Sequence, residues 1–187
     1  MDISATYLAS ARQQFAYYKR LGEKTFAQLE DTQLFYRSDP EANSIAIIVH
    51  HLWGNMRSRW TDFLTSDGEK PWRERDREFE DELSSRAELL AQWEEGWKCL
   101  FDALDTVTAT NFGTTVYIRA QAHSIVDAVN RQLCHYAYHV GQIVLLGRML
   151  KGAAWESLSI PRGGSSGFNQ EKFSRGPHGG HFTDDLR

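Results

Sequence analysis

The segment from Ser124 to Gly152 constrains the fold of this chain more than any other. Ser124 and Asp127 form the pattern of a capping box, in which two side chains three positions apart bond the first backbone amides of a helix. Apolar residues then recur at helical spacing as far as Lys151, and the following glycine is a common helix end. The segment predicts an uninterrupted helix of about 27 residues over 125–151.

Three other segments carry apolar residues at intervals of three or four, which is typical of helices that bury one face. These segments are 4–29, 45–64 and 86–104, with Ser44 as the cap of the second and Ser84 or Ser85 as the cap of the third. The connection 65–84 contains turn residues and Pro71 and is long enough to cross over a domain. Four long helices joined in this way predict an all-α fold, namely a four-helix bundle with a long crossover between helices two and three.

Two segments lack helical periodicity. Residues 106–122 are rich in threonine and include a β-type run at 114–119, which predicts a short extended excursion or a small hairpin before helix four. Beyond residue 165 the chain is polar and rich in glycine, with too few apolar side chains to offset the entropy lost on ordering. We therefore expect one domain over 1–165 and an irregular, mobile C-terminal arm over 166–187.

Composition and charge exclude several classes of function. The net charge of −4 is spread over mixed signs, without the basic stripe that is typical of nucleic-acid binding. The longest apolar run, 45–49, is far too short to cross a membrane, and the first residues do not form a secretory signal. Cys99 and Cys134 lack paired spacing, so we expect free thiols, with Cys134 packed against its neighbours, in a protein of the reducing cytoplasm.

His135 and His139 are the best candidates for a chemical site. They lie one turn apart on the predicted helix, so both imidazoles can reach a single metal ion. No glutamate follows the first histidine, which excludes the metalloprotease motif that uses such a glutamate as a general base. A pair at this spacing also arises by chance in a chain with seven histidines. The alternative interpretation is that these histidines only pack and form hydrogen bonds.

In a helical bundle, a third metal ligand comes from a facing helix. His50 and His51 both lie on the second predicted helix, and the spacing of their neighbours favours His51. Three imidazoles leave a coordination position open, which is typical of a reactive site, whereas structural zinc sites are usually closed by four protein ligands. Polar side chains near the same helix faces can orient each imidazole by a hydrogen bond to the ring nitrogen that does not bind the metal. These side chains are Asn55, Asp127, Asn130, Arg131 and Gln142.

Four stretches of the sequence are informative together: 44–52, which ends in His50-His51-Leu52, then 54–64, 67–72, and 130–142, which contains the histidine pair. In combination they resemble the DinB/YfiT-like superfamily, and within it a bacterial subfamily of unknown function. The resemblance covers about residues 1–165 and implies a four-helix bundle with a long crossover, frequently a homodimer. It also implies a divalent metal, zinc or nickel, held by His51, His135 and His139.

Members of that superfamily include metal-dependent thiol S-transferases that act with low-molecular-weight thiols, an isomerase-type enzyme and hydrolase-like proteins. The resemblance therefore implies an enzyme whose metal activates water or a small thiol for hydrolysis or transfer, acting on a small-molecule substrate. Arg131 or Asn55 would orient an anionic group of that substrate. The second hypothesis is a non-catalytic, stress-associated homodimer that binds a metal or another ligand.

Overall fold

The computed structural model of the chain describes residues 2–185, and these residues are mostly helical. The α-helices are α1 (Ile3–Phe26), α2 (Asp31–Leu34), α3 (Ile45–Trp60), α4 (Arg86–Asp105), α5 (Ile125–Lys151) and α6 (Ser165–Ser174). The strands are β1 (Thr115–Ile118) and β2 (Gln121–Ser124), and 3₁₀ helices occupy Arg75–Phe79, Gly152–Ala154 and Phe182–Asp185. The prediction of an all-α fold is confirmed. No helix within 2–185 combines the length and the apolar character that a bilayer crossing requires.

Serine side chains fix the start of three long helices. The hydroxyls of Ser44, Ser85 and Ser124 accept hydrogen bonds from the backbone amides three residues further on, at 3.1, 3.2 and 3.0 Å. Asp127 completes the predicted capping box by accepting from the amide of Ser124. Each of these bonds satisfies a backbone donor that the helix itself leaves unpaired. The caps were predictable because they depend only on residues close together in the sequence.

Helix α3 ends at Trp60, four residues before the predicted limit of 64. The backbone leaves the helix at Thr61, which is extended with ψ of 122°, and Asp62 then turns the chain in a left-handed conformation with φ of 48°. Its carbonyl then accepts hydrogen bonds from the amides of Thr65 and Ser66, at 3.0 and 2.9 Å. Helix α1 also ends before its predicted limit. The apolar spacing continues past both ends because residues in the following turns are also buried, and periodicity alone does not register the change in backbone direction.

The core joins the helices that carry the candidate histidines. Helix α3 packs against α4 and α5, and α1 packs against α5. Phe15 of α1 lies 6.4 Å from the ring of Trp60 and 5.9 Å from the ring of Tyr136, and all three side chains are buried. The indole of Trp60 also donates a hydrogen bond to the hydroxyl of Tyr136 at 3.0 Å, which links α3 directly to α5. Burial of each such ring contributes about 2–3 kcal/mol to stability.

The predicted hairpin is confirmed as the antiparallel pair of β1 and β2, with Ile118 opposite Gln121. Arg119 and Ala120 form its turn and have φ of 55° and 59°, a region that glycine usually occupies. The carboxylate of Asp67 accepts hydrogen bonds from both of their amides, at 2.8 and 2.7 Å. This contact offsets the backbone strain and ties the hairpin to the beginning of the crossover, so that Arg119 is held at a fixed position.

The C-terminal arm contains regular structure that the sequence did not predict. Helix α6 occupies Ser165–Ser174 but buries none of its residues, so local interactions account for it, such as the ion pair of Arg175 with Glu171 at 2.6 Å. Further along, Thr183 is buried, and its carbonyl accepts a hydrogen bond from Arg20 of α1 at 3.0 Å. The expectation of an irregular arm is therefore corrected in this segment, and its mobility stays a prediction.

The two cysteines are free thiols, as predicted, but their surroundings differ. Cys99 of α4 is half-buried, and burial raises the pKa of its thiol. Cys134 of α5 is exposed. The prediction that Cys134 is packed is wrong.

Candidate metal centre

Three histidines from two helices converge at one point. His51 is supplied by α3, and His135 and His139 lie one turn apart on α5. One ring nitrogen from each histidine lies within 4.8 Å of those of the other two, and the Nε2 atoms of His51 and His135 are 3.3 Å apart. Two imidazole nitrogens bound to one zinc ion at about 2.0–2.1 Å in a tetrahedral arrangement are about 3.3–3.4 Å apart. The His51–His135 pair already has this spacing, and the three nitrogens, within 4.8 Å of one another, would have to draw closer together to share one ion.

The outer ring nitrogens of two of these histidines are held by oxygen acceptors. Nδ1 of His51 lies 2.9 Å from a carboxylate oxygen of Glu78, and Nδ1 of His139 lies 3.0 Å from the amide oxygen of Gln142. Because an oxygen of this kind only accepts, each contact orients its ring with the Nδ1–H group toward the acceptor and Nε2 toward the cluster. Metal-binding histidines are typically oriented in this way by a carboxylate or an amide.

His135 and His139 are uncharged at neutral pH. Burial and the neighbouring imidazoles lower the pKa of His135 to about 3. Burial, followed by the nearby His51, lowers the pKa of His139 to about 4, against the opposing effect of its hydrogen bond to Gln142. A neutral imidazole is the form that binds a metal ion, so no proton has to leave these two rings before binding.

Glu78 is a site residue that the sequence analysis missed. It lies in the 3₁₀ helix of the crossover, only 4% exposed, and accepts two hydrogen bonds from Arg73 at 2.7 and 2.8 Å. Burial alone would raise the pKa of its carboxyl group, but the bonds from Arg73 and His51 outweigh burial and hold that pKa below its usual value. Glu78 therefore faces His51 as a carboxylate.

A glycine in the middle of α3 allows this carboxylate to approach. A β-carbon at Gly54 would lie 2.5 Å from Oε1 of Glu78 and 2.8 Å from its Cδ, closer than any unstrained contact. Glycine is unfavourable inside a helix, so its presence there indicates a close approach by another group. Gly54 was the one signal in the sequence that could have pointed to a partner for this face of α3.

A cavity of about 320 Å³ opens beside the three histidines. Both sequence candidates for substrate contact line it. Arg131 is exposed, with Nη1 at 3.2 Å from Nε2 of His123, whereas Asn55 is buried and its side-chain oxygen accepts a hydrogen bond from Tyr136 at 3.1 Å. The remaining lining includes four further arginines, at positions 59, 73, 75 and 119. The histidine cluster thus borders a space of the size that small-molecule sites occupy.

The sequence matches the family described as a protein of unknown function (DUF1572) over residues 2–164. The chain belongs to this family. A search of curated proteins and a search of solved structures each found no match. Membership in the DUF1572 family assigns no activity, so the function of this DUF1572 protein has to be argued from its site.

The other polar residues predicted near the site of this DUF1572 protein lie elsewhere. His50 hydrogen-bonds Gln92 at 2.9 Å and stacks on Trp53, outside the cluster of three. Asp127 caps α5 through Ser124 and does not orient an imidazole in this arrangement. Asn130 accepts a hydrogen bond from Tyr7 at 2.8 Å. Their positions on α3 and α5 were predicted correctly, but helical spacing does not determine which neighbouring segment covers each position.

Proposed function

We propose that this DUF1572 protein is a divalent-metal-dependent enzyme whose His51, His135 and His139 hold zinc or nickel. The observation that carries the proposal is the convergence of three ring nitrogens within 4.8 Å, beside a cavity of about 320 Å³. Three neutral imidazoles leave coordination positions for water or substrate, as catalytic sites require. The ligand set does not distinguish zinc from nickel.

The reaction class that fits this site is hydrolysis or transfer of a small thiol. A divalent ion in the cluster would supply a Lewis acid that lowers the pKa of water or of a thiol. The chain itself orients the ligands, since Glu78 fixes the ring of His51 and Gln142 fixes the ring of His139. Arg131 at the cavity wall would bind an anionic group of the substrate, and Asn55 is held in place there by Tyr136.

The proposal also covers the superfamily of the chain and its oligomeric state. Four long helices, α1, α3, α4 and α5, pack around a shared aromatic core, and a long crossover joins α3 to α4, as in the four-helix bundle of the DinB/YfiT-like superfamily. We assign the chain to that superfamily, as a cytoplasmic homodimer whose small-molecule substrate is or includes a low-molecular-weight thiol. A non-catalytic metal-binding homodimer is the competing function. The cavity that opens directly onto the three histidines favours the enzyme.

Metal content tests the proposal directly. Untagged protein is incubated with zinc or nickel, freed of excess ion and measured by inductively coupled plasma mass spectrometry. We expect about one ion per chain in the wild type and none in the His135→Ala/His139→Ala double variant. His50→Ala is the matched control, because His50 is adjacent to His51 but outside the cluster. Wild-type protein that takes up no ion would refute the metal site, and ion uptake unaffected by the double variant would place it elsewhere.

If the ion is present, the same variants distinguish the enzyme from a binding protein. Thiol transfer and ester hydrolysis are then assayed with the metal-loaded wild type, the metal-free protein and His50→Ala. Activity in the metal-loaded wild type and in His50→Ala, with none in the metal-free protein, supports an enzyme. Absence of turnover with every thiol and ester class, in protein that carries the ion, favours the non-catalytic alternative.

A further inference from the structure

The cavity beside the histidines is strongly positive, although the chain as a whole carries a net charge of −4. Five arginines line it, and none of the described residues that line it is acidic. The other ionisable lining residues are the three histidines, and burial keeps His135 and His139 uncharged at neutral pH. An accumulation of like charges around one space is unfavourable unless a ligand of opposite charge enters it.

Two carboxylates behind the wall compensate only part of this charge. Glu69 is bonded to Arg59 at 2.9 Å and to Arg73 and Arg119 at 3.2 Å, and Glu78 is bonded to Arg73 at 2.7 Å. Five guanidinium groups less these two carboxylates leave a charge of about +3 at the cavity. A metal ion on neutral imidazoles would add to this positive charge.

Two of the arginines have little to compensate their charge. Arg75 is half-exposed, and its nearest carboxylate is that of Asp76 at 3.8 Å, a fully exposed side chain whose effect is screened by solvent. Among the hydrogen bonds of residues 2–185, the side chain of Arg131 makes one, from Nη1 to Nε2 of His123 at 3.2 Å. A guanidinium carries five donors in a planar fork, so each of these groups retains donors for a carboxylate or a phosphate.

A buried donor in the same wall also lacks a partner. Arg59 is 7% exposed and lines the cavity, and its Nε has no hydrogen-bond partner within the described chain. Its Nη1 is bonded to Glu69 and to the carbonyl of Gly68. A buried, charged donor without an acceptor is destabilising by itself. Because this nitrogen has almost no accessible surface, a ligand in the cavity would act on Arg59 through the charge of the guanidinium and not through a hydrogen bond to Nε.

We infer that the cavity binds a small molecule with at least two negative charges on carboxylate or phosphate oxygens, held by Arg75, Arg119 and Arg131 beside the histidines. This inference deepens the proposed function and rests on it for the role of the histidines. The binding of the anion itself depends only on the arginines. The substrate of the site is therefore a small molecule with at least two negative charges. Its reacting atom faces the histidine cluster, and its charged groups face the arginines.

Isothermal titration calorimetry on metal-free, full-length protein at low ionic strength tests the inference. The probes are inorganic phosphate, the dicarboxylate succinate and the monoanion acetate. We expect phosphate or succinate to bind at least about ten-fold more tightly than acetate. We also expect Arg131→Gln and Arg75→Gln each to weaken that binding about ten-fold or more, because each removes a charge-assisted hydrogen bond. Binding of phosphate alone or of succinate alone supports the inference and identifies the charged group.

Arg148→Gln is the matched control, since Arg148 is an exposed arginine of the same helix as Arg131, about 25 Å away along α5. Binding within two-fold of the wild type is expected for this variant. Dianions that bind no better than acetate would overturn the inference, as would equal affinities in Arg131→Gln, Arg75→Gln and Arg148→Gln. Circular dichroism of each variant checks that it is folded. Because the protein is free of metal, failure of the metal site and failure of the anion site are separate results.

Discussion

Replacement of Gly54 by alanine tests whether the approach of Glu78 to α3 controls metal binding. The new β-carbon would lie 2.5 Å from Oε1 and 2.8 Å from Cδ of the Glu78 side chain. Unstrained contacts of this kind are about 3.5 Å, so the carboxylate has to retreat by roughly 1 Å. Its distance from Nδ1 of His51 is 2.9 Å, and a displacement of that size takes it beyond hydrogen-bonding range.

Two effects of opposite sign follow for Gly54→Ala. The helix gains up to about 1 kcal/mol from the better propensity of alanine. Against this, the buried carboxylate of Glu78 loses its hydrogen bond with His51, which costs about 1–3 kcal/mol of stability. The imidazole of His51 is then no longer held in its orientation. Loss of such an orienting partner lowers metal affinity about 10–100-fold, or about 1.4–2.7 kcal/mol. We therefore expect a large loss in affinity and only a small net change in the free energy of unfolding.

Competition with a chromophoric chelator measures the zinc affinity, and urea unfolding measures the stability of the metal-free protein. Gly141→Ala provides the control, since Gly141 also lies inside a helix and a β-carbon there meets nothing within 4 Å. That variant should gain up to about 1 kcal/mol in stability with unchanged metal affinity. An affinity of Gly54→Ala within two-fold of the wild type would refute the role assigned to the contact between Gly54 and Glu78.

Three further predictions concern the same region. Glu78→Gln should lower metal affinity about 10–100-fold in the same chelator competition, because the amide lacks the charge that orients His51, and unchanged affinity would contradict that role. The metal-free protein should lose about 3 kcal/mol of stability between pH 7 and pH 5, since unfolded histidines take up protons below their ordinary pKa of 6.5 whereas folding lowers the pKa of His135 to about 3 and of His139 to about 4. Urea unfolding at the two pH values checks this, and a His135→Gln/His139→Gln variant with the same pH dependence would disprove it. Ala120→Gly should raise stability by about 1 kcal/mol because Ala120 has φ of 59°, and thermal unfolding that shows a lower midpoint would argue against strain in the turn.

The long helices could be predicted because their signals are local. Periodicity and caps located α5 to the residue, and they located the starts of α3 and α4. The pairing of His135 with His139 followed from helical spacing, and His51 was favoured over His50 by the spacing of its neighbours and by the family resemblance; the structure brings these three residues together. The end of α3 was missed because the chain turns at Thr61 and Asp62 while Phe63 beyond the turn is still buried, so the apolar spacing continues past the end of the helix.

One of the two partners of the histidines could be predicted and the other could not. Gln142 lies three positions from His139 on the same helix and bonds it as expected, whereas the partner of His51 was missed. Glu78 meets His51 from a 3₁₀ helix 27 positions further along the chain, and it is one acidic residue among several in the crossover. Arg119 reaches the cavity only because Asp67 holds the turn of the hairpin. Contacts between a loop and a helix depend on the path of the connection, and the sequence contains no periodic signal for that path.

Three of the five arginines at the cavity come from connections, which are less rigid than the helices of the histidines, whereas Arg59 and Arg131 share those helices. The three histidines lie on α3 and α5, whereas Arg73, Arg75 and Arg119 come from the crossover and the hairpin turn. Connections open locally at lower free energy than packed helices. A ligand can therefore enter where Arg75 and Arg119 line the cavity while α3 and α5 stay packed. Substitutions at these two arginines can change which anion is accepted, whereas substitution of Glu78 in the same crossover also alters the orientation of His51.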